Sequence, residues 1–176
     1  MARVGLKRLE FLVERLARDL ALGGSTTLKG QRQFVEAISN SSAVTRTLTA
    51  AESGTLFTVS MAAVDNNVAL TLPTAGESIA GVFYDFCFTV DSDDDADFSI
   101  TTGANGTDIY GGVITLAANS TVDAFAGLSK ITVDGSVAQS TEGMKLHLVC
   151  DGTNWHLSGH IMTGIATVHL VGAAGA

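Results

Sequence analysis

The apolar residues of this chain change their period near residue 47, and this change constrains the fold more than any other feature. From Thr47 onward apolar and polar residues alternate, which is the pattern of a half-buried strand. The alternating runs are short and are separated by Gly, Asp, Asn and Pro, which favour turns. Strands are predicted near residues 55–59, 68–72, 81–90, 97–102, 112–117, 121–126, 129–133, 143–150, 153–158 and 163–171.

Short strands at this spacing predict a mainly β body over residues 47–176, built as an antiparallel β-sandwich or a jelly-roll-like fold. The dipeptide Asp151-Gly152 lies between two alternating runs and predicts a two-residue hairpin turn. One face of that hairpin is expected to point into the core, with Leu146, Leu148, Trp155 and Leu157.

The first 46 residues follow a different pattern. Leu6, Leu9, Val13, Leu16 and Leu20 are spaced three and four apart, as in the apolar stripe of a heptad repeat, and Gly23-Gly24 ends the predicted α-helix. A helix this short is not stable alone in water, so another surface must cover its stripe. The helix either docks on a partner, which we favour, or associates with itself as a short coil. Residues 25–44 are predicted to form an extended linker, with a helical turn near 32–38.

The charge divides at the same place. Residues 1–46 carry eight basic residues, including Arg8, Arg15 and Arg18, against four acidic ones, a net charge of +4. Residues 47–176 carry fourteen acidic residues against two lysines, a net charge of −12. An acidic body repels nucleic acid and anionic membranes, because phosphate binding needs clustered Lys and Arg. We therefore expect a basic docking arm, residues 1–46, joined to an acidic body.

The run from Gly81 to Val90 is apolar on one face and half apolar on the other, where Phe83 and Cys87 flank Asp85. A strand that is apolar on both sides is either central in its sheet or covered by a second layer. One candidate for that layer is another subunit, which makes Phe83 and Cys87 possible interface residues.

Residues 91–97 contain five aspartates but lack the Gly and the bidentate acid that an EF-hand requires, so a solvated turn is the better interpretation. A two-residue turn would place His147 opposite His156, yet two ligands without a third do not make a metal site. No nucleophile, phosphate-loop or zinc-protease motif is present. The sequence therefore predicts neither an enzyme nor a cofactor or metal site.

No targeting segment is predicted: the apolar stretch near the N-terminus is interrupted by four charged residues, which excludes a signal peptide or a membrane span. Synthesis and folding in a cytoplasm would leave Cys87 and Cys150 as reduced thiols.

The body resembles a β-rich module of structural proteins in tailed bacteriophages. The resemblance covers about residues 48–159 and none of the arm. It is carried, in order, by Leu48-Thr-Ala-Ala-Glu-Ser-Gly-Thr, Ala69-Leu-Thr-Leu-Pro-Thr-Ala-Gly, Gly81-Val-Phe-Tyr-Asp-Phe, Ile109-Tyr-Gly-Gly-Val-Ile and Cys150-Asp-Gly-Thr-Asn-Trp-His-Leu-Ser-Gly. Such modules occur in head decoration (cement) proteins and in tail or head fibres, so the resemblance implies a virion component that is trimeric and has no catalytic residues.

The sequence and this resemblance lead us to expect a capsid decoration protein. It would be made in the host cytoplasm and would bind the major capsid protein through its arm, on the outer capsid surface. The alternative is a short fibre or knob that recognises glycans on the host surface. Exposed aromatic rings would favour that alternative, but the chain has one Trp and two Tyr, and Trp155 is expected in the core.

Overall fold

The computed structural model describes residues 33–63, 65–90, 96–102, 109–115, 122–133, 141–161 and 170–173. The strands in these ranges are β1 Val35–Ser39, β2 Val44–Thr47, β3 Leu56–Ser60, β4 Val68–Thr71, β5 Phe83–Val90, β6 Phe98–Thr101, β7 Ile109–Thr115, β8 Val122–Leu128, β9 Lys130–Val133, β10 Lys145–Cys150, β11 Trp155–Ile161 and β12 Leu170–Ala173. Two single 3₁₀ turns, Ala50–Glu52 and Glu77–Ile79, are the helical elements of the described residues. Each of the ten predicted strands overlaps one of β3 to β12, and the prediction of a mainly β body is confirmed.

The strands form two sheets. The seven-stranded sheet has the order β1-β3-β5-β10-β11-β7-β8, and the five-stranded sheet has the order β12-β9-β6-β4-β2. The first six strands alternate between the sheets, and each strand from β3 to β6 runs parallel to the strand two places earlier in the chain. This part of the chain therefore winds as a coil that adds one strand to each sheet per turn.

The coil shows that the prediction of an antiparallel body was wrong, because both sheets are mixed. Later strands do pair antiparallel, as in β5 with β10 and β6 with β9, but β7 is parallel to β11. The alternation of apolar residues indicates which side chains face a core, but it carries no information on strand direction. Parallel neighbours need a long crossover, and here each crossover runs through the other sheet.

The two sheets share one hydrophobic core, which is built around β5. Tyr84, Phe86 and Phe88 alternate along the inner face of β5 and are almost fully buried. From the five-stranded sheet, Phe98 meets Phe86 and Phe88 edge-on, with ring centroids 5.8 Å and 4.9 Å away. Such edge-to-face pairs stabilise a core beyond the area that they bury.

Tyr84 and Trp155 show how the buried polar atoms are satisfied. Their rings stack with centroids 5.6 Å apart. The Trp155 Nε1–H donates to the carbonyl of Pro73 at 3.0 Å, and the Tyr84 hydroxyl donates to the carbonyl of Thr49 at 2.8 Å. Burial is the main cause that raises the pKa of Tyr84 to about 12, so this hydroxyl remains a donor. The predicted core position of Trp155 is confirmed.

The predicted hairpin between β10 and β11 exists, but its loop has four residues instead of two. Cys150 lies opposite Trp155, and Asp151 to Asn154 form the loop. The Asp151 carboxylate causes the difference: its Oδ1 accepts the N–H groups of Thr153 and Asn154, both at 2.7 Å. An aspartate that caps its own turn in this way stabilises a wider loop than Asp-Gly alone predicts. The inner face of the hairpin is as predicted, with Leu146, Leu148, Trp155 and Leu157 all buried.

The predicted linker and its helical turn are also corrected, because β1 and β2 lie inside residues 33–47. Ile38 of β1 is buried in the core. Arg46 of β2 forms ion pairs with Glu36 of β1 and with Glu52, and its guanidinium lies over the ring of Phe57, 5.5 Å from the centroid. These contacts join the edge strands of the two sheets. Both strands are short, mix apolar and polar residues and are mostly exposed or half-buried, so they resemble a linker in composition, which explains the error.

The chain divides into two units, Met1–Arg32 and Gln33–Ala176. The predicted helix and its docking residues lie in the first unit, outside the described residues. These are Leu6, Leu9, Val13, Leu16, Leu20, Arg8, Arg15 and Arg18. Residues 91–95 of the acidic run also lie outside the described residues, as do residues 163–169 of the last predicted strand.

One glycine of β7 permits the close approach of β7 to β11. Gly111 has a φ of +117°, and a Cβ atom built on it would lie 2.1 Å from the carbonyl oxygen of Leu157. A side chain at this position is excluded both by the backbone conformation and by the neighbouring strand.

We predict that Gly111→Ala lowers the free energy of unfolding by roughly 2–4 kcal/mol, because it combines backbone strain with a backbone clash. The matched control is Gly76→Ala, at an extended position with nothing within 4 Å of the added atom. It should leave stability unchanged or raise it by about 0.4–1 kcal/mol. Urea denaturation of the two variants measures the difference, and equal stabilities would contradict the strand packing described above.

Candidate functional site

The candidate site lies on the outer face of the seven-stranded sheet, defined as the face that points away from the shared core. On β5 this face carries Phe83, Asp85 and Cys87, all half-buried, between the buried residues of the inner face. β5 lies between β3 and β10, so it is a central strand, which was one interpretation of its two-sided apolar pattern. That another subunit covers Phe83 and Cys87 stays a prediction.

A cavity of about 370 Å³ opens on this outer face. Its volume falls within the range of about 300–1,000 Å³ that is typical of small-molecule sites. β5, β10 and β11 supply most of its wall, and residues just before β1 and at the start of β3 close one side. The lining residues that carry functional groups are Gln33, Asp85, Cys87, Lys145, His147 and Ser158.

A chain of hydrogen bonds orders the polar groups in this cavity. Gln33 Nε2 donates to Asp85 Oδ2 at 2.6 Å, and His147 Nδ1 lies 2.6 Å from Asp85 Oδ1. Because an ionised carboxylate only accepts hydrogen bonds, Nδ1 of His147 carries a proton. The Phe83 ring, with its centroid 5.8 Å from that of the imidazole, borders the same group. In the neutral imidazole, Nε2 is then left as an acceptor.

Asp85, His147 and Ser158 lie directly opposite one another on three adjacent strands. This is the order of groups that activates a serine in hydrolases. No hydrogen bond joins His147 to Ser158 among the described residues, and His147 Nδ1 contacts Asp85 instead. The absence of enzymatic activity remains a prediction.

The predicted pairing of His147 with His156 was wrong. The four-residue loop shifts the register, so His147 lies opposite Ser158 and His156 lies opposite Val149. His156 Nε2 instead contacts Asp151 Oδ2 at 2.7 Å. Within the described part of the chain, no group of three or more His, Cys, Asp or Glu residues could hold a metal ion.

Lys145 supplies the cationic group of the cavity. It lies opposite Cys87 of β5 and His160 of β11, and its side chain is exposed. No carboxylate among the described residues lies within ion-pair distance of it. The carboxylates of Asp85 and Asp151 are instead hydrogen-bonded to histidines, Asp85 to His147 and Asp151 to His156. Both cysteines are free, with Cys87 half-buried and Cys150 buried.

The sequence pattern placed Phe83 and Cys87 on this face, but it did not show which residues of the neighbouring strands line the cavity beside them. Alternation along β5 already put Asp85 on the same side as Phe83 and Cys87. The sequence pattern relates His147 to His156 and gives no sign that His147 and Lys145 lie beside β5. The partner strands β10 and β11 follow β5 by about sixty residues or more, so the sequence pattern could not show that the three strands are neighbours.

Comparison with family models, curated proteins and solved structures found no match for this chain. In the ranges that the structure describes, no helix has the length and apolar character needed to cross a membrane.

Asp151, in the loop between β10 and β11, has a carboxylate whose pKa is lowered. Hydrogen bonds from the backbone N–H of Asn154, the His156 side chain and the Thr153 N–H lower its pKa from 3.8 to about 2. These bonds favour the charged form. A pKa that is lower in the folded state adds stability above the unfolded value and loses it as the pH falls through the folded value.

We predict that Asp151→Asn lowers the melting temperature above about pH 4 and that its difference from the parent chain vanishes near pH 2. The amide oxygen can still accept the loop N–H groups, but the charge beside His156 is lost. Asp65→Asn, at an exposed turn position, controls for the loss of one charge and should differ less from the parent. Melting curves between pH 2 and pH 6 test this, and a difference independent of pH would contradict it.

Proposed function

We propose that this chain is a capsid decoration (cement) protein of a tailed bacteriophage. It binds the major capsid protein on the outer surface of the head and stabilises the shell, as a homotrimer. The observation that carries the proposal is the division of the chain at Arg32 and Gln33. The predicted helix with its apolar stripe lies entirely before this point, and every described strand lies after it.

The charges support separate roles for the two units. Residues 1–32 carry seven basic residues against three acidic ones, so the net charge of +4 stays with the first unit. Arg46 and Glu36, which the sequence assigned to the arm, pair with each other in the β unit. An apolar stripe with a positive charge suits a groove on an acidic shell, whereas an outer body of charge −12 keeps particles apart.

Multivalency explains how so short an arm can hold the protein on the shell. A trimer presents three arms, and binding of the first raises the effective concentration of the others at the shell.

We further propose that the two mixed sheets pack face to face as a β-sandwich. Their shared core and the contacts of Phe98 with Phe86 and Phe88 support this architecture.

The second candidate is a short fibre or knob that recognises glycans. It is favoured by one observation, the cavity on the outer face of the β unit with its hydrogen-bonding groups. The number of copies per virion distinguishes the two candidates: hundreds of copies indicate decoration, and a handful indicates a fibre.

We predict that deleting residues 1–24 leaves a folded β unit that no longer co-sediments with capsids of the encoding virus. Leu9→Ser combined with Leu16→Ser should have the same effect within the full chain, because both changes interrupt the apolar stripe. Ala21→Ser, which follows the last stripe position and lies off the stripe, is the control and should keep binding. Circular dichroism checks the fold. Retained binding by the truncated chain would move the docking surface into the β unit.

Capsid binding should also weaken with salt without being abolished. Raising the salt concentration from 0.1 M to 1 M shortens the Debye length from about 10 Å to about 3 Å, which screens the basic residues of the arm but not its apolar contacts. Co-sedimentation across this range measures the effect. Binding that does not change with salt would remove the charge of residues 1–32 from the docking mechanism.

A further inference from the structure

The cavity holds one of the few cationic groups of the β unit, together with the carboxylate of Asp85. Residues 47–176 contain only two basic residues, Lys130 and Lys145, against fourteen acidic ones. One of these two lysines lines the cavity. Its ammonium group has no carboxylate partner among the described residues, although acids outnumber it so heavily.

Asp85, the acid of the cavity, forms no ion pair with this lysine. Asp85 already accepts a hydrogen bond on each oxygen, from Gln33 and from His147, both at 2.6 Å. The lysine lies diagonally across the β5–β10 pair, opposite Cys87 instead of Asp85. An entering molecule therefore meets a cation that has no ion-pair partner among the described residues, and a carboxylate that already accepts hydrogen bonds from Gln33 and His147.

The other open positions of the cavity are neutral hydrogen-bonding groups. With Nδ1 of His147 protonated toward Asp85, its Nε2 can accept a hydrogen bond from a hydroxyl group. The Ser158 hydroxyl both donates and accepts, and it has no described partner. Half-buried Leu56 adds an apolar side. A single cation, in a cavity that also holds the Asp85 carboxylate, suits a monoanion that carries hydroxyls better than a phosphate. Phosphate is recognised by paired Arg side chains or clustered backbone N–H groups.

We propose that this cavity binds a carboxylated sugar of the hexuronate class. The sugar carboxylate pairs with Lys145, and its ring hydroxyls bond to His147 Nε2 and to Ser158. The assignment holds whether the β unit stands on a capsid or at the tip of a fibre, because it rests only on groups within the cavity.

Titration of the full chain with sodium D-glucuronate tests the proposal, with D-glucose as the neutral match and inorganic phosphate as a different anion. Amide chemical shifts in ¹H–¹⁵N spectra should change at Asp85, His147 and Ser158, with saturation. D-glucose should bind at least about tenfold more weakly, since it lacks the charge-assisted hydrogen bond to Lys145. No capsid takes part, so the result is independent of the decoration role.

The two lysines provide the matched variants. Lys145→Gln should weaken D-glucuronate binding at least about tenfold, whereas Lys130→Gln, which makes the same charge change on the other sheet, should leave it within about twofold. Both positions are exposed, so both variants should fold. Ser158→Ala should weaken binding a few-fold through the loss of one hydroxyl.

Four outcomes would overturn the proposal. These are no saturable D-glucuronate binding, equal affinity for D-glucose, tighter binding of inorganic phosphate, or equal losses in the two lysine variants. The last result would indicate a general effect of net charge and not a site.

Discussion

The alternation of side chains along β5 is the constraint on which the rest of the structure depends. Tyr84, Phe86 and Phe88 fill the core between the sheets, while Asp85 and its neighbours on the opposite face form the wall of the cavity. A shift of one residue would exchange the two faces and bury the carboxylate among aromatic rings. Because β5 lies between a parallel and an antiparallel neighbour, it also joins the coiled first half of the β unit to the later strands.

The features that the sequence predicted correctly depend on residues close together in the chain. Strand positions, the inner face of the β10–β11 hairpin and the burial of Trp155 follow from alternation and turn residues within a few positions. Strand direction does not, because it depends on where each crossover leads. The edge strands β1 and β2 were missed because they are short and mix apolar with polar residues, as a linker does. Their pairing with β3 and β4, and the contact of Arg46 with Glu36, identify them.

The candidate site could not be found from spacing, although one of its members was correctly placed on its face. Asp85 and His147 are 62 residues apart in the chain and 2.6 Å apart in the structure. Their contact depends on the register between β5 and β10, while the position of Ser158 depends on the length of the following loop. Hydrogen bonds from Thr153 and Asn154 to the Asp151 side chain stabilise the four-residue loop. With this loop length, Ser158 lies opposite His147.

The winding of β1 to β6 between two sheets has a consequence for the time course of folding. Neither sheet can gain a strand before the chain has travelled through the other, so hardly any pairing in this half closes a short loop. Ordering the intervening residues costs entropy before the pairing repays it. A β unit with so few local pairings is expected to reach its native state in milliseconds to seconds, about the range of all-β domains. On a ribosome, β5 must wait for β10 to be made before its second edge is covered.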